Sequence, residues 1–320
     1  MAGSYLRFNY NVRASKSVER KMILEVLKDL CPPSVIKDYQ YIGFGSVFYT
    51  DFRLFHKDLN ICDMVCIERD VENKDRFEFN KPYKCINLIM GDSFEILPKL
   101  DWKKKSITWL DYEDKLEPTM FDDIRTIVNN AKNKSFFIVT CNANPSSYRK
   151  ETTISEIELE KFREDFKGIA NINLAATDFT AKKIIPLVHG MFSSFINDIL
   201  TIKNAGISPD KQLVFKQIFN LKYQDNSVMY TFGGVFVSPN DAVKIEEDIK
   251  RYDFVRTGIP IYEIDVPKLT NREIDGLNSH LPNNLTTFIA ETIDFIPKNF
   301  REAYFKLYKH FPNYMEIKDF

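Results

Sequence analysis

The sequence predicts an α/β fold: a mostly parallel sheet of seven strands, flanked by helices and closed by an antiparallel terminal hairpin. Between residues 38 and 141, apolar strand-like runs alternate with helix-like runs, the pattern of right-handed crossovers joining parallel strands. Four of these runs end in glycine or acidic residues: Tyr41-Ile-Gly-Phe-Gly-Ser46, Cys66-Ile-Glu68, Met90-Gly-Asp-Ser93 and Trp109-Leu-Asp-Tyr-Glu113. Buried parallel strands deliver polar chemistry to their C-terminal ends in this way. Further along, two β-rich runs, 212–223 and 228–237, are separated by the polar Gln224-Asp-Asn-Ser227, which reads as a hairpin.

Taken in order, residues 15–30 carry Val18, Met22, Leu24, Val26, Leu27 and Leu30 at mostly helical spacing behind a Ser17 cap, and Cys31-Pro-Pro stops the helix. Strands are expected near 38–43, 63–68, 85–90, 106–111 and 135–141, with helices near 47–57, 70–79, 93–100 and 118–132 between them. Residues 146–177 are polar and helix-prone and form an insertion, and Phe179–Ala205 reads as an amphipathic helix closed by Gly206. Helical segments rich in aromatics follow Ser238-Pro-Asn240, with a Pro-punctuated link at 258–267. The expected division is an N-terminal helical segment (1–34), a sheet domain (35–238) and a C-terminal, mainly helical extension (239–320).

Composition bounds the function. The chain has 320 residues, 44% hydrophobic and 14% aromatic, enough to bury a large core. Forty-four Lys+Arg against 45 Asp+Glu give a formal charge of -1, so there is no general attraction to polyanions, although a local basic face such as Lys103-Lys-Lys105 leaves nucleic acid open. The five cysteines are odd in number and four lie in or beside apolar runs, as expected of free thiols in a reducing, cytoplasmic setting. Cys62 and Cys66 lack a second pair and the four histidines are scattered, so no metal site is expected. The first residues lack a leader-like apolar core and no span of ~20 apolar residues stands out, so no membrane association is expected.

The five alternating strands, the additional helix and the closing hairpin resemble the Rossmann-like class I S-adenosylmethionine-dependent methyltransferase fold over residues ~35–238. The wording Ser-Val-Glu-Arg-Lys-Met, Tyr-Ile-Gly-Phe-Gly-Ser-Val and Trp-Leu-Asp-Tyr is also similar to a group of bacterial methyltransferase-like proteins. The resemblance implies S-adenosylmethionine as cofactor. Gly43 and Gly45, with Ser46, match the turn over which the methionine portion passes, and Glu68 matches the carboxylate that accepts from the ribose hydroxyls. Asp92 matches the adenine contact with Ser93 as a neighbouring donor, while a helix N-cap is an equally sound role for Asp92. Tyr41 stands where the family usually carries an acid, with Asp51 as a nearby substitute.

Asp111, Tyr112 and Glu113 close the fourth strand beside the expected position of the transferable methyl group. These carboxylates can act as a general base, bind a divalent cation, or simply open the next helix. The Asn/Asp-Pro-Pro-aromatic sequence of exocyclic amine methyltransferases is absent here, as is the Pro-Cys of C5-cytosine enzymes. Asn142 ends the fifth strand where related magnesium-dependent enzymes carry a ligand, but Cys141 replaces the accompanying acid. Arg13, Lys16 and Arg20 suit an anionic substrate or the cofactor carboxylate, or a solvated helix face, and Asn142 is expected with them as a substrate contact. The expected activity is methyl transfer to an O or N acceptor. The alternatives are a catalytically inactive methyltransferase-like binding or assembly protein, with its aromatic C-terminal region as an oligomer or partner surface, and a nucleic-acid methyltransferase.

Overall fold

A computed structural model of the chain describes residues 13–169 and 174–312. The expectations that fall on residues 1–12, on part of the 146–177 insertion and on the last eight residues lie outside the described residues. Helix α1 (Ala14–Leu30) begins four residues earlier than the Ser17 cap predicts. Its first amides donate to the Asp225 carboxylate, Ser15 N at 3.0 Å and Lys16 N at 3.2 Å. The cap therefore comes from the distant hairpin turn, and the helix can start without a capping side chain of its own.

After a short helix α2 (Pro33–Ile36) the chain enters β1 (Gln40–Phe44), α3 (Thr50–Leu59), β2 (Asp63–Glu68), α4 (Lys74–Asn80), β3 (Ile86–Met90), α5 (Ser93–Ile96), β4 (Ser106–Lys115), α6 (Pro118–Asn130) and β5 (Ser135–Asn142). Helices α7 (Glu156–Asp165) and α8 (Ile184–Lys203) lead to the hairpin β6 (Val214–Gln224) and β7 (Val228–Val237). Then come α9 (Pro239–Asp248), a short β8 (Tyr262–Ile264), α10 (Asn271–Asn278), α11 (Leu285–Glu291) and α12 (Lys298–Leu307).

The sheet runs β3-β2-β1-β4-β5-β7-β6-β8, with β7 antiparallel to both of its neighbours and every other pairing parallel. It has eight strands where seven were expected. The additional strand lies in the Pro-punctuated link, where Tyr262, Glu263 and Ile264 pair with Leu221, Lys222 and Tyr223. The segment after Val237 thus contributes a strand to the sheet as well as helices.

The sheet separates two cores. One packs α1 and α3 with Tyr41, Trp109, Phe219 and Tyr223, and takes Leu277, Phe288, Ile296, Tyr304 and Leu307 from the C-terminal helices. Much of the aromatic C-terminal surface is therefore internal, while Phe295 remains exposed. The other core packs α6 and α8 with Leu110, Val139 and Phe232. By length and composition α8 is the one helix among the described residues able to cross a membrane, and most of it is buried in this second core.

Candidate functional site

Register places the four strand ends side by side. Gly43 is level with Cys66 on β2 and with Trp109 on β4, and Glu68 is level with Met90 on β3. Gly45, Glu68 and Gly91, at the C-terminal ends of β1, β2 and β3, therefore form one row with Asp111, which lies within β4 because that strand runs on to Lys115 beyond the end expected for it. Two backbone hydrogen bonds tie it together: Gly45 N to Ile67 O and Gly91 N to Glu68 O, both 2.8 Å.

Steric space shows why two glycines stand here. A Cβ on Gly43 would lie 2.6 Å from the hydroxyl of buried Tyr41, which packs edge-on against Phe52 and Phe55. A Cβ on Gly45 would lie 2.8 Å from Cys66 Sγ and 3.1 Å from Glu68 Oε2. The chain then reverses through Tyr49, whose φ of 49° is left-handed and unusual for an aromatic residue. The Tyr49 hydroxyl donates to Phe77 O at 3.1 Å and anchors the turn into α3.

Glu68 Oε1 accepts from Asp70 N at 2.9 Å. Burial pushes the Glu68 carboxyl up to about 7. A ligand whose hydroxyls donate to this carboxylate needs it ionised, so each pH unit below about 7 should cost up to ~10-fold in affinity. S-adenosylhomocysteine titrated by calorimetry from about pH 5.5 to 8.5 should show this slope. Glu68→Gln should remove it; an equally steep slope in the variant would refute the assignment.

Asp92 lies at the start of α5 but makes no capping hydrogen bond with its side chain. Val71, just after β2, and Phe94, in α5 just after β3, are 59% and 39% exposed. The Ser93 and Tyr112 hydroxyls turn instead toward α6, where each donates to Asp123 Oδ2 at 2.5 Å. The Tyr112 ring stands edge-on to Phe44 with centroids 4.8 Å apart. Both residues thus brace the turn, their hydroxyls occupied by an acid on α6 that the sequence reading did not single out. Burial raises Asp123 to about 6.

Asp111 projects to the α1 face, where Lys16 Nζ lies 2.8 Å from its Oδ1 and 2.7 Å from Glu19 Oε2. The Lys16 side chain is 0% exposed and its ammonium sits 4.5 Å from the Trp109 ring centroid. Trp109 Nε1 donates to Thr140 Oγ1 at 3.1 Å, Thr140 and Thr231 share a hydrogen bond of 2.8 Å, and Thr231 donates to Glu19. The relay ends on the Glu19 carboxylate, which burial raises while Lys16 pulls the other way. Arg20 is likewise buried, with its Nε on Asp51. Arg13 Nε lies 3.7 Å from Asp225. Lys16 and Arg20 are accordingly interior groups rather than a solvated face, and Asp51 is engaged by Arg20.

The remaining two expected residues differ in setting. Glu113 is exposed. Asn142 is level with Lys115, beyond a bulge in the β4–β5 ladder, and its Oδ1 accepts from Asn144 N at 2.9 Å. Its carbonyl accepts from Tyr148, so Asn142 shapes the loop that follows β5.

A family model described as "Putative O-methyltransferase" matches residues 8–319. The chain belongs to this family. Membership agrees with the sequence reading of an S-adenosylmethionine-dependent methyltransferase of the Rossmann-like class. No curated protein matches the chain. Among solved structures it is similar to the S-adenosylmethionine-bound amino pentose methyltransferase CalS10 from Micromonospora echinaspora: 9% identity, 38% of this chain and 48% of that one, TM-score 0.29. Trm1 from Pyrococcus horikoshii, in complex with S-adenosylmethionine, shares 10% identity over 76% of this chain and 63% of that one, TM-score 0.39. Spermidine synthase from Thermotoga maritima shares 9% over 78% and 68%, TM-score 0.37. The chain spans less than two thirds of the first two.

Proposed function

We propose that the chain is an S-adenosylmethionine-dependent O-methyltransferase whose cofactor lies across the row of Gly45, Glu68, Gly91 and Asp111. The observation that carries this reading is the alignment of those four residues in a chain matched over nearly its full length by an O-methyltransferase family model. In this reading residues 35–238 are the catalytic unit, and the described parts of the flanking segments, 13–34 and 239–312, pack against it.

When bound, the cofactor supplies an electrophilic methyl group on a sulfonium. The chain does the rest. Bare backbone at Gly43 and Gly45 admits the methionine portion, and Glu68 accepts from the ribose hydroxyls. Asp92 faces the adenine edge, with Val71 and Phe94 offering apolar surface beside it. Asp111, 20% exposed at the mouth of the row, orients the acceptor hydroxyl and takes its proton as the oxygen attacks. Lys16 and Glu19 are positioning residues that hold Asp111.

Asp111→Asn should lower methyl transfer by about 10²–10⁴-fold while leaving cofactor affinity within a few-fold. Transfer of labelled methyl from S-adenosylmethionine into pools of hydroxylated acceptors checks it. Wild-type protein that binds cofactor yet labels no pool, or a fully active Asp111→Asn, would contradict the reading.

A further inference from the structure

At the opposite, N-terminal edge of the sheet, three residues far apart in sequence converge. His56 lies in the last turn of α3, Cys62 precedes β2 and Cys85 precedes β3. Their ligand atoms all lie within 4.8 Å of one another. His56 Nδ1 is 3.9 Å from Cys62 Sγ and 3.7 Å from Cys85 Sγ. With Zn–N near 2.0–2.1 Å and Zn–S near 2.3 Å, a tetrahedral angle gives an N···S edge of about 3.6 Å. The two N···S spacings are within about 0.3 Å of that edge, and the three ligand atoms are close enough to converge on one ion with a small adjustment.

We propose that His56, Cys62 and Cys85 form a zinc site, with the fourth position open to solvent. Two thiolates and an imidazole are a soft set that favours zinc over magnesium or calcium. The ring is already held, because Tyr83 stacks on it with centroids 4.1 Å apart. Before metal binds, Nδ1 donates to Ile61 O at 2.9 Å, a bond that coordination at Nδ1 would replace. On binding, the ion replaces any proton on Nδ1, the ring keeps its proton on Nε2, and the two thiol protons leave to solvent. Coordination would join the end of α3 to the starts of β2 and β3, whose far ends carry Glu68 and Gly91. Cys62 is exposed and Cys85 partly so, which gives the ion a path of entry. Cys66, the residue that sequence spacing pairs with Cys62, is buried in the core instead.

The test uses the full chain, reduced and stripped of metal, titrated with cobalt(II) and then zinc. The expected result is one equivalent of cobalt with a thiolate-to-cobalt charge-transfer band that zinc abolishes. Cys62→Ser, Cys85→Ser and His56→Ala should each weaken binding by at least ~100-fold. Cys31→Ser, at a buried thiol elsewhere, should bind as wild type does. Zinc should raise the melting temperature of wild type but not of Cys62→Ser, whose exposed position spares the fold. Absence of the band in reduced wild-type protein would overturn the proposal. So would a band that survives in Cys62→Ser/Cys85→Ser, or a Cys62–Cys85 disulfide whose reduced form takes no cobalt.

Discussion

Lys16→Met should destabilise the fold by about 3–5 kcal/mol, because it leaves two acidic side chains facing each other without their cation. The Lys16 ammonium lies within 2.8 Å of both Glu19 and Asp111, and neither it nor Glu19 has exposed side-chain surface. Methionine fills the channel beside Trp109 and Tyr223 but neutralises nothing. For a chain of this size the loss corresponds to roughly 5–8 °C in melting temperature. Lys16→Met/Glu19→Gln should recover most of it, since glutamine removes one buried charge and still accepts from Thr231. Thermal melts of the three proteins decide the matter. A single variant that melts with wild type would mean that the ion triad contributes nothing.

The second large effect concerns the cofactor. Glu68→Ala removes the acceptor proposed for two ribose hydroxyls, each bond to a charged group contributing ~1.5–3 kcal/mol. Affinity for S-adenosylmethionine should fall by at least ~10²-fold. Gly45→Val should do as much for a different reason. Its Cβ would meet Cys66 Sγ at 2.8 Å and Glu68 Oε2 at 3.1 Å, displacing the carboxylate and filling the cofactor's approach. Calorimetry on folded variants measures both, and unaltered affinity in both would remove the proposed binding row.

The strand ends were legible in the sequence because glycine and acidic residues terminate apolar runs there, a local signal that needs no tertiary information. Strand β8 was not legible. Three residues lying between Pro260 and Pro267 are too few to show an alternating pattern. The start of α1 was hidden for another reason, since its cap is Asp225, 210 residues from Ser15. Lys16 and Glu19, spaced i,i+3, look like an ordinary surface pair on a helix. Only the packing of α1 over Trp109 makes them interior. Asp123 is one of two adjacent acids on α6, and only the convergence of the Ser93 and Tyr112 hydroxyls distinguishes it. The His56, Cys62 and Cys85 group escaped for the same reason: its members come from three separate elements, and the suggestive Cys62–Cys66 spacing pointed at a buried thiol.

The most direct test of the central claim is a crystal structure of the chain with S-adenosylhomocysteine. The account predicts the ribose hydroxyls on the Glu68 carboxylate, the adenine beside Asp92 between Val71 and Phe94, and the sulfur opposite Asp111 over the Gly43–Gly45 turn. A ligand bound elsewhere on the molecule, or one whose ribose does not touch Glu68, would contradict it.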